Sequence, residues 1–95
     1  MLIAFNINLQ SDDLAAARAI AYRIRSSGDS LPVLKAIGVL VRGRGAFASS
    51  VQAQVSMNLM DFETTSLHDA FHLVDREAKA SGLQIDYSEI VGLIP

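Results

Sequence analysis

Cysteine is absent from the 95 residues, which excludes disulfides and thiolate metal sites without fixing a compartment. Staples are unnecessary at this length, because one domain spanning residues 1–95 is large enough to bury roughly two thirds of the surface its unfolded chain exposes. Charge of one sign is not in excess: 8 Lys and Arg stand against 10 Asp and Glu, for a formal net charge of -2. The two signs are interspersed, so the basic footprint of a nucleic-acid binder is missing. There is no long apolar run either. The opening MLIAF lacks a basic leader, is too short for a secretory or membrane segment and passes straight into an alternating pattern. The reading is a soluble, cytoplasmic protein with neither nucleic acid nor membrane as partner. What the chain does have is apolar residues, 51% of the total, which favours a well-filled core and a buried partner surface.

Periodicity divides the chain. From Met1 to Leu9 the pattern has period two, with Ile3, Phe5, Ile7 and Leu9 on one face and Ala4, Asn6 and Asn8 on the other. Ser11 is a natural N-cap, Asp12 and Asp13 suit the positive helix end, and Ala17, Ile20, Ala21 and Ile24 form a helical stripe that Gly28 ends. After turn residues Asp29, Ser30 and Pro32, the run LKAIGVLVR predicts a second strand with Ile37, Val39 and Val41 on one face and Ala36 and Gly38 on the other. GRGAFASS, Gly43 to Ser50, reads as a flexible connection. A third strand from about Val51 to Met60 sets Val55, Met57 and Leu59 against Gln54, Ser56 and Asn58. Thr65 or Ser66 caps a second helix whose stripe is Leu67, Phe71, Val74 and Ala78 and whose stop is Gly82; Leu83 to Ser88 is the last strand, and EIVGLIP an apolar tail.

The order β-α-β-β-α-β is the split βαβ arrangement of an α+β, ferredoxin-like sandwich. That topology implies a four-stranded antiparallel sheet in the order four, one, three, two, with both helices on one face. Strands one and three then lie side by side at the centre, so Asn6, Asn8, Gln54, Ser56 and Asn58 gather on the face the helices leave open. Alternation of this kind is what any one-sided antiparallel sheet shows. Amides are nevertheless unusual in strands, and small neighbours at Ala36 and Gly38 would let a ligand approach. The patch is therefore a candidate ligand site.

Other polar residues are weighed against plainer roles. His68 falls in the first turn of the second helix, where it either meets a substrate or caps locally beside Thr65. His68 and His72 have the H-x-x-x-H spacing of metal helices, but no third ligand is evident, and no metal site is assigned. Arg42 and Arg44 in VRGRG are anion-binding candidates for a carboxylate or phosphate, unless they are simply a solvated turn. RNA recognition on this fold needs aromatics stacked on the central strands; Phe5 points to the other face and strand three has none. Asp75 and Lys79 are spaced for a helical pair on the wet side of helix two.

The segments LIAFNINL, SLPVLKAIGV, QVSMNLMDFETTSLHDAF, REAKASG and SEIVGLIP, in that order over nearly the whole chain, resemble the C-terminal subdomain of glutamate formiminotransferase. That resemblance implies two ferredoxin-like subdomains whose sheets form a cleft, in which a formimino group passes from formiminoglutamate to tetrahydrofolate. A reduced folate is then the implied ligand, positioned by the amide patch, with its glutamyl tail within reach of Arg42 and Arg44. The family's catalytic histidine belongs to the N-terminal subdomain, so the resemblance also implies a separate N-terminal-type partner and assigns no catalytic residue here. The sequence departs from the family at Ser66, where Pro is frequent, at Tyr87, where Gly is common, and in a longer Gly43 to Ser50 loop.

Two expectations follow. One is a formiminotransferase-like half that binds folate and is inactive alone. The other is a non-catalytic ferredoxin-like module that homo-oligomerises or binds a small ligand through its open face. Catalysis by the isolated chain has the least support, because no nucleophile, metal set or acid-base pair is visible.

Overall fold

A computed structural model describes residues 2–26, 33–60 and 65–94, apart from the side chains of Leu34, Thr65, Ser66, Leu93 and Ile94. The elements are β1 (Leu2–Leu9), α1 (Leu14–Ser26), β2 (Val33–Arg42), β3 (Val51–Met60), α2 (Thr65–Ala80) and β4 (Ile85–Ile94). The sheet is antiparallel throughout, in the order β2-β3-β1-β4, which is the expected order read from the opposite edge. Met1, the stop at Gly28, the turn at Asp29, Ser30 and Pro32, and the cap side chains of Thr65 and Ser66 lie outside the described residues.

Alternation builds the core. Ile3, Phe5, Ile7 and Leu9 of β1 and Val55, Met57 and Leu59 of β3 are buried together with the α1 stripe Ala17, Ile20, Ala21 and Ile24 and with Ala70, Val74 and Ala78 of α2. Leu67 and Phe71, expected on the same α2 stripe, pack against this cluster while partly buried. Ten of these buried side chains are Ile, Leu, Val, Met or Phe, and each contributes about 1.5–3 kcal/mol of transfer free energy. The small residues Ala17 and Ala21 bring α1 close to the sheet.

Local chemistry sets the helix ends. The N-cap of α1 is Asp13 rather than Ser11: its Oδ1 accepts the Ala16 N–H at 3.0 Å and its carbonyl the Ala17 N–H at 3.2 Å. Ser11 acts one step earlier, its Oγ accepting the Asp13 N–H at 3.0 Å. At the other end of the chain α2 closes in a Schellman motif, with the Leu83 N–H on the Ala78 carbonyl at 2.8 Å and the Gly82 N–H on the Lys79 carbonyl at 3.0 Å.

Three expectations need correction. The faces of β2 are inverted: Ala36 lies opposite core residue Met57 and Gly38 opposite Val55, whereas Ile37 lies opposite Ser56 and Val39 opposite Gln54. Ala36 and Gly38 thus face the helices, and Ile37, Val39 and Val41 face the open side. A Cβ on Gly38 would stand 2.4 Å from the Arg18 backbone nitrogen, so glycine there permits the close approach of α1. The last strand is longer than Leu83 to Ser88, because two bulges let EIVGLI continue pairing with β1 as far as Leu2↔Ile94. The Gly43 to Ser50 connection is a hydrogen-bonded turn with a 3₁₀ segment at Gly45–Phe47, closed by the Gly43 N–H on the Ser50 carbonyl at 2.9 Å.

Candidate functional site

Cross-strand register places the amides in rows on the open face. Gln54 of β3, Asn8 of β1 and Tyr87 of β4 form one row, and Ser56, Asn6 and Glu89 the next. Asn58 lies one row further on, opposite Ala4. All five predicted amide and hydroxyl positions therefore share the open face; Asn6 and Gln54 line one depression, Ser56 and Asn58 another, and Asn8 is buried beneath them.

The first row is a buried hydrogen-bond network. Asn8 is fully buried, and its Nδ2 donates to Gln52 Oε1 at 3.0 Å and to the Tyr87 hydroxyl at 2.9 Å. Its Oδ1 accepts from Gln54 Nε2 at 2.9 Å. Gln52, also fully buried, donates through Nε2 to the Leu9 carbonyl at 2.9 Å and to Asp86 Oδ2 at 2.7 Å. Every buried side-chain nitrogen and oxygen among the described residues has a partner. A fully satisfied network of this kind rigidifies the strands that carry it. Asn8 is thus spent on structure: it braces β3 and β4 from β1 and presents no free atom to a ligand.

Above this floor lies a cleft of about 410 Å³, lined by Asn6, Gln54, Val41, Arg42, Gly43, Arg44, Tyr87 and Glu89. β2 and β4 are opposite edges of the sheet, three strand spacings or about 14 Å apart if flat. Arg44, just beyond β2, nevertheless holds its guanidinium 5.3 Å from the centre of the Tyr87 ring on β4 and 3.8 Å from Glu89 Oε2. The hairpin after β2 therefore reaches over the open face toward β4. Gly43 permits the fold-over, since a Cβ there would lie 2.0 Å from the Phe47 carbonyl oxygen. A second depression of about 80 Å³ at the other end of the face is lined by Lys35, Ile37, Ser56, Met57 and Asn58.

Of the predicted residues, Asn6, Gln54, Arg42 and Arg44 come together at the larger cleft, and Ser56 and Asn58 at the smaller. Gly38 and His68 do not join them. Gly38 faces α1, and His68 is exposed on α2, on the helical side of the sheet. Gln52, Tyr87 and Glu89 were missed as site residues. Gln52 repeats Gln54 at a spacing of two, which was a readable signal; Tyr87 and Glu89 depended on knowing how far β4 extends.

The groups that line the cleft can bind and orient a ligand. Carboxamides neither donate nor take protons as catalysts near neutral pH. Arg42 and Arg44 attract carboxylates, Tyr87 offers a flat apolar wall, and Glu89 accepts hydrogen bonds from a cationic nitrogen. Among the described residues no group of three or more His, Asp or Glu is placed to hold a metal ion, and no helix is long and apolar enough to cross a membrane.

The chain is similar to several known proteins. The family described as formiminotransferase domain matches residues 4–95. The glutamate formimidoyltransferase of Streptococcus pyogenes serotype M1 is 42% identical over 94 residues, which are 99% of this chain and 29% of that protein. The formimidoyltransferase-cyclodeaminase of Mus musculus is 44% identical over 98 residues, 99% of this chain and 17% of that protein. The glutamate formimidoyltransferase of Thermoplasma acidophilum is 33% identical over 94 residues, with coverage of 99% and 29%. The chain thus spans less than a third of the length of these curated relatives. Among solved structures, the cryo-EM structure of Arabidopsis thaliana MSL1 superposes with a TM-score of 0.52 at 21% identity, over 90% of this chain and 33% of that one, a likeness of fold alone.

Proposed function

The chain belongs to the formiminotransferase domain family, and on that premise we propose that it forms the ligand-holding half of a cleft in which a formimino group passes from formiminoglutamate to tetrahydrofolate. The observation that carries this reading is the arginine-rimmed cleft over an amide floor, at Arg42, Arg44, Asn6 and Gln54. Both reactants of such a transfer carry glutamate carboxylates, the folate in its glutamyl tail and the donor in its own skeleton, and paired guanidinium groups suit both. Ser56 and Asn58 extend the polar surface toward the second depression, where a reduced folate's ring would find hydrogen-bond partners.

The chain's own residues bind and orient in this account. Asn8, Gln52 and Gln54 fix the floor, Tyr87 supports Arg44, and the arginines hold carboxylates in register. Proton transfer falls to an N-terminal-type subdomain facing the open sheet, and the domain spanning residues 1–95 is inactive without it. Mixing formiminoglutamate and tetrahydrofolate with this chain alone is expected to yield no transfer, and adding a separately produced N-terminal-type subdomain is expected to restore it. Transfer by the chain alone, or none after the addition, counts against the proposal.

A second reading rests on Ile90 and Val91, which are 54% and 60% exposed on edge strand β4. Exposed apolar residues on an unpaired edge invite strand pairing between two copies. Light scattering that finds a dimer of the chain supports that reading; a monomer at high concentration removes it.

A further inference from the structure

Glu89 stands at the mouth of the cleft otherwise lined by two arginines. It lies opposite Asn6 on β4, lines the same 410 Å³ space as Arg42 and Arg44, and is the acidic member of that lining. Its carboxylate is 3.8 Å from the Arg44 guanidinium, with the two side chains 36% and 64% exposed. A pair this long and this wet is weak, so a ligand carboxylate displaces Glu89 from Arg44 easily. The consequence falls on Glu89. Once displaced, it faces the ligand's own carboxylate, and like charges at that range repel.

A simple carboxylate ligand thus gains one arginine and meets one acid. A ligand that brings a cationic nitrogen beside its carboxylates meets no such conflict, because the nitrogen takes the place of Arg44 as partner of Glu89. Two guanidinium groups and one carboxylate match two carboxylates and one cation, charge for charge. The folate glutamyl tail carries carboxylates on an uncharged amide, whereas the formimino donor carries two carboxylates and an amidinium on one small skeleton. We propose that Glu89 is the specificity-determining residue of this cleft, selecting an amidinium-bearing dicarboxylate, the donor substrate, over the folate tail. This rests on the functional reading above and assigns the larger cleft to the donor, leaving the Ser56 and Asn58 end of the face to the folate.

The test uses the full 95-residue chain and two probes that differ in one atom type. N-formimino-L-glutamate carries the amidinium, and N-formyl-L-glutamate replaces it with a neutral formamide of the same shape. Titration calorimetry at neutral pH is expected to favour the formimino compound by about tenfold or more, the size of one charge-assisted hydrogen bond. Glu89→Gln keeps the shape, removes the charge and is expected to abolish that preference without weakening folinate binding by more than about twofold. Equal binding of the two probes by the wild-type chain, a preference that survives in Glu89→Gln, or no binding of either probe overturns the assignment. Failure of folinate alone to bind counts against the folate reading instead, because the formimino to formyl ratio is measured independently of it.

Discussion

Replacing Gly38 with alanine tests the placement of β2 by the sign of the effect. If Gly38 lay on the open face, as strict alternation from Ile37 and Val39 predicts, the new methyl group would point to solvent. The substitution would then stabilise the protein by about 0.4–1 kcal/mol, because alanine has less unfolded-state freedom to lose. In the observed register the methyl carbon stands 2.4 Å from the Arg18 nitrogen, 2.5 Å from the Ala17 carbonyl carbon and 2.7 Å from the Arg18 Cα. These are backbone atoms, so no side chain can swing away and α1 must lift off the sheet. Overpacking of this kind costs about 1–3 kcal/mol. After subtraction of the unfolded-state gain, a net loss of about 1–2 kcal/mol remains. For a domain of this size that lowers the melting temperature by roughly 5–15 °C. Urea unfolding followed by circular dichroism reads the same loss as a lower midpoint at unchanged slope. A variant as stable as the wild type, or more so, refutes the packing of α1 on β2 described here.

The other predictions concern the floor, the rim and a helix end. Asn8→Ala removes a donor to Gln52 and Tyr87 and an acceptor for Gln54, and is expected to cost about 1–3 kcal/mol in urea unfolding. Combined with Tyr87→Phe it should show a coupling above about 0.5 kcal/mol, since the two share one bond; strict additivity would contradict the network. Asp13→Ala is expected to cost about 1 kcal/mol as the loss of an N-cap. Ser11→Ala should cost clearly less, and the reverse ranking in thermal melts would restore Ser11 as the cap. Arg44→Ala should change stability by no more than about 0.5 kcal/mol, because its ion pair is long and exposed, yet weaken carboxylate binding in calorimetry. A large loss of stability with intact binding would make Arg44 structural.

β1 and β3 were legible because both alternate cleanly, and the apolar face of each is the one packed into the hydrophobic core. β2 misled for a physical reason. Both of its faces are apolar, Ile37, Val39 and Val41 on one and Ala36, Gly38 and Leu40 on the other, so period two alone cannot say which faces the core. An irregularity in the pairing between Val33 and Lys35 then shifts the parity at the start of the strand. The same cause shortened β4 in the sequence reading, since its two bulges break the alternation that marks a strand. The amide patch was visible from the spacing of Asn6, Asn8, Gln54, Ser56 and Asn58. Its division into a buried brace and an accessible rim was not, because burial of Asn8 depends on Tyr87 and Gln52 arriving from different strands. The rim itself needed the hairpin to reach over the sheet, a matter of the space at Gly43 that no local pattern encodes.

Titration of folinate into the chain, alone and in the presence of an N-terminal-type subdomain, tests the central claim most directly. Saturable binding that weakens when Ser56 and Asn58 are both replaced by alanine is the predicted result. Absence of binding in both mixtures would contradict the claim that this open sheet face holds a reduced folate.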